Sequence, residues 1–380
     1  MVELAIPREQ ASLRARVREF VTEEVETVVL PGDGLAAAPD QLTRRFHEWG
    51  FARELVEAGE DRFLADACVA AEELAYCSAA VASLLVLPVF FNRLAVSNLA
   101  EPARSEFRAR LFAGPTVTAF AASEQDAGSD STAIRTRAER SGPAYVLRGR
   151  KDYSSNVRQA DQVIVVARTG GDGGRDGLSW FLVPTRSPGV EVGPRWDTLG
   201  LRSMDLSPIT FDDVIVDGAN LLGREGDGLR MLAESLSQSR TGIAAVGVGI
   251  ARRARDEVLR FAKHRSLYGE RLYKLQDYRF RIAEMERDIE AARALVAVSA
   301  KRHGQGQPAT KNASVAKLFA GDMAMRITSA AVLMLGAQAY AGRNVVERLF
   351  RDARHVAIVE GSEPIHKELI FASVLRHGGC

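Results

Sequence analysis

The sequence predicts an α+β multidomain chain ordered helical, β, helical, and three observations predict it. Apolar residues recur at helical spacing from about residue 8 to 115, short β-rich runs separated by Gly, Asp and Pro fill 116–226, and long helical patterns return over 227–380. Strands do not alternate with helices as a parallel sheet requires, which disfavours a doubly wound nucleotide-binding architecture. With 380 residues, 46% of them hydrophobic, the chain can bury a large core, and its length points to two or three domains.

In the first segment (1–115), LRARVREFVTEEV and LADACVAAEELAYC carry the helical period, broken by turn clusters such as Pro31-Gly32-Asp33-Gly34. The string from Gly32 to Ala37 spells GxGxxA, yet helical patterns lie on both sides and Pro39 follows closely. It lacks the preceding strand of a dinucleotide site and is expected to be an interhelical turn. The second segment (116–226) holds TVTAFAAS, AYVLRGR, QVIVVAR, SWFLVP and ITFDDVIV. Between two of these strands the glycine-rich run from Thr169 to Gly177 predicts a mobile hairpin loop, since no Lys-Ser/Thr pair follows as in a phosphate-binding loop. The third segment (227–380) contains RTGIAAVGVGIARRARDEVLRFAKHR, FRIAEMERDIEAARALVAVSAKRH and NASVAKLFAGDMAMRITSAAVLML, the patterns of long antiparallel helices in a bundle.

Composition excludes several function classes. Fifty basic and forty-nine acidic residues leave a formal charge of +1, so no global field draws the chain to nucleic acid or anionic lipid. Cys68, Cys77 and Cys380 form no CxxC pair and are too few and too widely spaced for a disulfide framework or a zinc site. The six histidines show no HExxH or HxxxH spacing and no GxSxG occurs, which leaves metal-assisted and serine hydrolysis without support. The opening residues carry charge throughout, and no run reaches the roughly 18 apolar residues that span a bilayer. A soluble cytoplasmic protein without a metal is the expectation.

Four stretches carry possible chemistry. Ala122-Ser123-Glu124-Gln125-Asp126-Ala127-Gly128-Ser129-Asp130 follows an apolar strand pattern and offers hydroxyls and backbone N–H groups to a flat heterocycle or a pyrophosphate; an ordinary Ser/Gly turn has the same composition. Lys151-Asp152-Tyr153-Ser154-Ser155-Asn156 again ends a strand with an aromatic beside hydroxyls, as would a partly exposed strand tyrosine. The interhelical stretch from His264 to Gln276 supplies Arg265 for a phosphate and Gln276 for an adenine edge, and a plain basic loop would look similar. In Arg351-Asp352-Ala353-Arg354-His355-Val356-Ala357-Ile358-Val359-Glu360-Gly361 a carboxylate sits among apolar neighbours, which favours its protonated form and raises its pKa; the alternative is a water-exposed Glu ahead of a glycine cap. His366, beside Glu363 and Lys367, is expected at the surface, with His366 and Glu363 the next candidates for a base.

The strings ASEQDAGSD, LRGRKDYSSN, HRSLYGERLYKLQ and FRDARHVAIVEGS, in this order, resemble the motifs of the acyl-CoA dehydrogenase family over nearly the whole chain, most densely from residue 118 onward. The resemblance implies an N-terminal helical domain, a central β-barrel-like domain and a C-terminal four-helix bundle, assembled as a homodimer or homotetramer. It implies FAD, with Ser123 and Ser129 on the pyrimidine side and pyrophosphate, Ser155 at flavin N5 and Tyr153 in place of the usual Trp against the ring. Arg265 and Gln276 match residues that bind the pyrophosphate and adenine end of an FAD held mainly by the neighbouring subunit. Glu360 matches the catalytic base and Arg240 the arginine beside it. The reaction implied is α,β-dehydrogenation of an acyl thioester, with an electron-transfer flavoprotein or oxygen taking the electrons.

Two stretches depart from the pattern. Leu333-Met334-Leu335-Gly336-Ala337-Gln338-Ala339-Tyr340 lacks a Gln and replaces two Gly by Ala where the partner's ADP moiety packs, so Cβ atoms oppose close backbone approach. Ser237 stands where an acidic residue contacts the acyl-CoA tail, which opens a carrier protein's phosphopantetheine as the thioester carrier beside free CoA. A flavin-dependent monooxygenase on the same fold and a flavin-free binding module for acyl thioesters or carrier proteins are the competing functions.

Overall fold

The computed structural model describes residues 8–29, 39–170, 177–342 and 344–377; the Gly32–Ala37 string, most of the glycine-rich run and Cys380 lie outside the described residues. The first helices are α1 (Arg8–Phe20), extended by a π turn at Val21–Val25, α2 (Pro39–Glu48), α3 (Phe51–Glu57), α4 (Glu60–Cys77), α5 (Ala79–Leu85), α6 (Leu87–Asn98) and α7 (Ala103–Ala113). α4 ends where Ser78 turns extended, and the Ser78 hydroxyl caps α5 by accepting the Val81 N–H at 3.4 Å.

The strands are β1 (Thr118–Ala121), β2 (Arg137–Ser141), β3 (Ala144–Ser155), β4 (Gln162–Arg168), β5 (Leu178–Pro184), β6 (Val190–Val192), β7 (Leu206–Asp217) and β8 (Leu221–Leu222). They form one eight-stranded sheet ordered β6-β7-β3-β2-β4-β5-β8, with β1 parallel to β4, so the barrel-like domain takes the form of a sheet whose path stays open. β4 is buried at every residue, as its unbroken apolar run requires. β4 and β5 pair antiparallel, with Arg168 opposite Leu178.

The last segment comprises α8 (Gly228–His264), the small hairpin β9 (Ser266–Leu267) and β10 (Glu270–Arg271), α9 (Gln276–Gly304), α10 (Thr310–Leu335), α11 (Ala337–Tyr340), α12 (Val345–Ile358) and α13 (Glu363–His377). α8 is central, packing on α4, α9, α10 and α12. The helices of the first and last segments bury their apolar faces in one continuous cluster, from Val17, Leu42 and Leu74 to Ile250, Ile289, Met323 and Leu349. Gly249 permits the close crossing of α8 on α4, because a Cβ there would stand 2.3 Å from the Glu72 carbonyl oxygen. Cys68 and Cys77 are free thiols buried in this cluster.

The absence of a membrane-length segment needs correction. The helical stretches Ala79–Asn98 and Thr310–Leu335 are long and apolar enough to cross a membrane by length and composition, with 72% and 39% of their windows buried inside the fold. Scattered charges such as Arg93 and Asp322 interrupt the apolar run, yet the average hydropathy of each stretch stays high, at 1.9 and 1.4. Both stretches supply residues to buried clusters of the fold, a role that selects the same composition.

Candidate active site

Glu360 lies two residues beyond the end of α12, in the left-handed region at φ 61°, followed by Gly361 at φ 111°. A non-glycine residue there costs about 1–2 kcal/mol, so surrounding contacts must hold it. The Arg240 Nε donates to the Glu360 backbone oxygen at 2.9 Å, and the Ser239 hydroxyl donates to Glu360 Oε2 at 2.7 Å. From α10 the Lys317 ammonium donates to the Ala357 and Gly361 carbonyls at 3.0 and 2.8 Å. His366 Nε2 lies 3.0 Å from the same Gly361 oxygen. Among the described residues the Glu360 N–H and Oε1 make no hydrogen bond.

The charge balance at Glu360 is set by opposing causes. Burial raises its pKa above the ordinary carboxylate range, while the Ser239 hydrogen bond and the charges of Arg240 and Lys317 partly offset the rise. Of the apolar chain neighbours, Ile358 is exposed while Ala357 and Val359 are half-buried. His366 is fully buried, which corrects the surface expectation: the turn at Gly361 brings α13 back so that His366 packs beneath it. Burial, with the nearby Lys317 and Arg240 charges, lowers the His366 pKa to about 4. The ring is therefore neutral near pH 7, and with a carbonyl as partner Nε2 carries the proton.

The other predicted residues fall into two groups. Ser123, Tyr153 and Ser155 come together where β1 and β3 end: the Asp152 N–H donates to the Ser123 carbonyl at 3.0 Å and the Gln125 N–H to Asp152 Oδ2 at 2.9 Å. The buried Lys151 fixes the turn after β1, donating to the Ala122 carbonyl at 2.9 Å and to Glu124 at 2.8 Å. Tyr153 and Ser155 point away from the sheet interior while Ser154 points inward, the alternation a strand imposes. Tyr153 is 51% exposed and its ring lies 6.0 Å from that of Trp196, 43% exposed, whose indole N–H donates to the Asp152 carbonyl at 2.8 Å. Ser129 is exposed on the same turn. Arg265 and Gln276 stand apart, exposed beside the β9–β10 hairpin, and none of their contacts within the chain reaches the Ser123 group.

A relay of hydrogen bonds ties the two centres. In α12, Arg351 donates to the Leu199 carbonyl at 3.0 Å and Asp352 accepts the Leu201 N–H at 2.7 Å. Further along that loop the Asp205 carbonyl accepts the Asn156 N–H at 2.8 Å, directly after Ser155. Ser237 is turned into the bundle, 3% exposed, with its hydroxyl 3.0 Å from His303 Nε2, so it does not present itself to a thioester tail. A cavity lined by both apolar and polar residues, among them Phe46, Val89, His47, Arg53 and Asn92, lies elsewhere, and none of the site residues lines it. Ser239, Lys317 and Trp196 were missed by sequence reasoning. Only Lys317 left a signal, as one of seven lysines in the chain and placed in an alanine-rich apolar helix.

The chain matches the acyl-CoA dehydrogenase middle domain over residues 119–214 and the acyl-CoA dehydrogenase C-terminal domain over residues 226–375. It is 33% identical over 376 residues to an acyl-CoA dehydrogenase of Bacillus subtilis, covering 97% of this chain and 99% of that one. It is 36% identical over 309 residues to cyclohexane-1-carbonyl-CoA dehydrogenase of Geobacter metallireducens, covering 81% of each. Butyryl-CoA dehydrogenase from Megasphaera elsdenii superposes with a TM-score of 0.90 at 27% identity, over 99% of this chain and 100% of that one. This chain therefore belongs to the acyl-CoA dehydrogenase family, FAD-dependent oxidoreductases. The residues present fit that cofactor: the exposed Tyr153–Trp196 pair lies at the end of β3, the strand that carries Ser155, and the N–H groups of Gly128 and Ser129 make no hydrogen bond to the described residues.

Proposed function

We propose that the chain dehydrogenates an acyl thioester between its α and β carbons, with Glu360 as the base. The observation that carries this reading is the Glu360 carboxylate itself, desolvated yet paired with Ser239 and opposite Arg240 and Lys317, one oxygen left for a proton. Glu360 Oε1 takes the proton from the carbon next to the thioester carbonyl. A base with a raised pKa gains driving force for that transfer, and the nearby cations favour its ionised form. The unengaged Glu360 N–H is the donor that would meet the developing negative charge on the thioester oxygen, an interaction worth about 3 kcal/mol in comparable sites. Bound FAD supplies the acceptor for the hydrogen leaving the β carbon as hydride. Ser123, Ser129, Tyr153 and Ser155 would hold its isoalloxazine side, and Arg265 and Gln276, exposed and apart, the ADP end of a cofactor shared with a second copy of the chain.

Free CoA is the carrier that the relatives' names support, and Ser237, buried against His303, supplies no argument for a carrier protein. An electron-transfer flavoprotein or oxygen would remove the electrons. Mixing the oxidised, FAD-loaded protein anaerobically with matched acyl-CoA and acyl-carrier-protein esters separates the readings. Rapid bleaching of the flavin band by the CoA ester is expected. Bleaching by the carrier-protein ester alone would move the substrate to that class, and bleaching by neither would remove the dehydrogenase reading.

A further inference from the structure

The turn that carries Glu360 is held by more than the arginine the motif supplies. Lys317, 1% exposed, reaches from α10 to two carbonyls that flank the turn: Ala357, in the last turn of α12, and Gly361, beyond the glutamate. Carbonyls at a helix C-terminus lack intrahelical partners and carry the negative end of the helix dipole, so a buried cation there is favoured on both counts. His366 adds a neutral donor on Gly361, and its remaining nitrogen, Nδ1, is buried without a partner among the described residues.

We propose that Lys317 is a positioning residue for this reaction: its ammonium clamps the Ala357 and Gly361 carbonyls so that Glu360 keeps its left-handed backbone, and its charge favours the ionised glutamate. The inference rests on Glu360 as the base. Several groups face Lys317: Glu360 on the turn, Arg240 on α8, His355 on α12, His366 on α13 and Asp322 on its own helix. His355 and His366 are both held near pKa 4 and stay neutral, so Arg240 and Lys317 are the cations that act on Glu360 near pH 7. Burial and Arg240 lower the Lys317 pKa and Glu360 raises it, the balance standing at about 8, which leaves the lysine charged at neutral pH.

The test is the pH profile of anaerobic flavin reduction by an acyl-CoA ester in the FAD-loaded protein, compared for wild type, Lys317→Met and Lys317→Gln. Both variants remove the charge, and the glutamine keeps one donor. In Lys317→Met the maximal reduction rate is expected to fall at least about tenfold with less than about threefold change in half-saturating substrate. The acidic limb should move up by about one pH unit, since losing a cation raises the pKa of a carboxylate. Lys317→Gln should recover part of the rate and keep the shifted limb. If Lys317→Met does not fold, the limb in Lys317→Gln decides alone. A folded, FAD-loaded variant whose limb stays at the wild-type position would overturn the proposal. Glu360→Gln, run beside them, separates the two claims: full activity there removes the base, whereas loss there with an unshifted lysine variant removes only the role of Lys317.

Discussion

At Glu360 burial outweighs the partners that favour its charge, and those partners set how far its proton affinity rises. Desolvation disfavours its charge, and the Ser239 hydroxyl with the Arg240 and Lys317 cations favours it, so small changes among these partners move the proton affinity directly. A hydrogen bond to a charged acceptor is worth about 1.5–3 kcal/mol, and one pKa unit corresponds to about 1.4 kcal/mol. Ser239→Ala is therefore expected to raise the Glu360 pKa by about one unit, shifting the acidic limb of flavin reduction upward while FAD content is unchanged. The sign follows from the donor: Ser239 bonds to the ionised carboxylate, so its removal favours the protonated form, which is inactive as a base. A downward shift would show that Ser239 instead competes for the catalytic oxygen.

At the scale of elements, periodicity made the order of helices and strands legible, because burial of one face imposes a period on each segment. The long patterns of α8, α9 and α10 and the apolar run of β4 were visible for that reason. Glu360 and Arg240 were legible only through the order of the motifs. Ser239 and Glu360 are 121 positions apart, and nothing local marks a serine as the partner of a distant carboxylate. Trp196 joins the Tyr153 ring by way of a loop with no period of its own. The surface placement of His366 failed for a related reason, since its burial depends on the backbone reversal at Gly361 and not on the sequence around it. The contacts from Arg351 and Asp352 to the 199–205 loop, and from Asp205 to Asn156, give two of the motif stretches a shared physical support.

Across the whole molecule, the first and last helical segments are joined by charge as well as by apolar contact. Glu72 on α4 is buried among Arg14, Arg252 and Arg293, with nearest contacts of 3.1, 2.7 and 2.9 Å. Burial would raise its pKa, but the three arginines overcome this and hold it at about 2, below its ordinary 4.5. A carboxylate with a depressed folded-state pKa contributes stability that is fully present above its unfolded value and is lost as pH falls through the folded one. Glu72→Gln should therefore destabilise the fold at pH 7 by about 3 kcal/mol, the linkage worth of lowering a carboxylate from 4.5 to about 2, while Glu73 and Glu290 keep the three arginines paired. The gap to wild type in denaturant titrations should narrow between pH 4.5 and 2. A gap independent of pH would assign the loss to packing.

The central claim, that Glu360 removes the α-proton, is tested most directly by stopped-flow reduction of the FAD-loaded Glu360→Gln variant with an acyl-CoA ester. Glutamine keeps the shape and the backbone N–H and removes the basic oxygen. The variant is expected to bind FAD and thioester as wild type does while reduction slows by about 10²–10⁴-fold, the range for loss of a general base. Reduction at the wild-type rate would contradict the account.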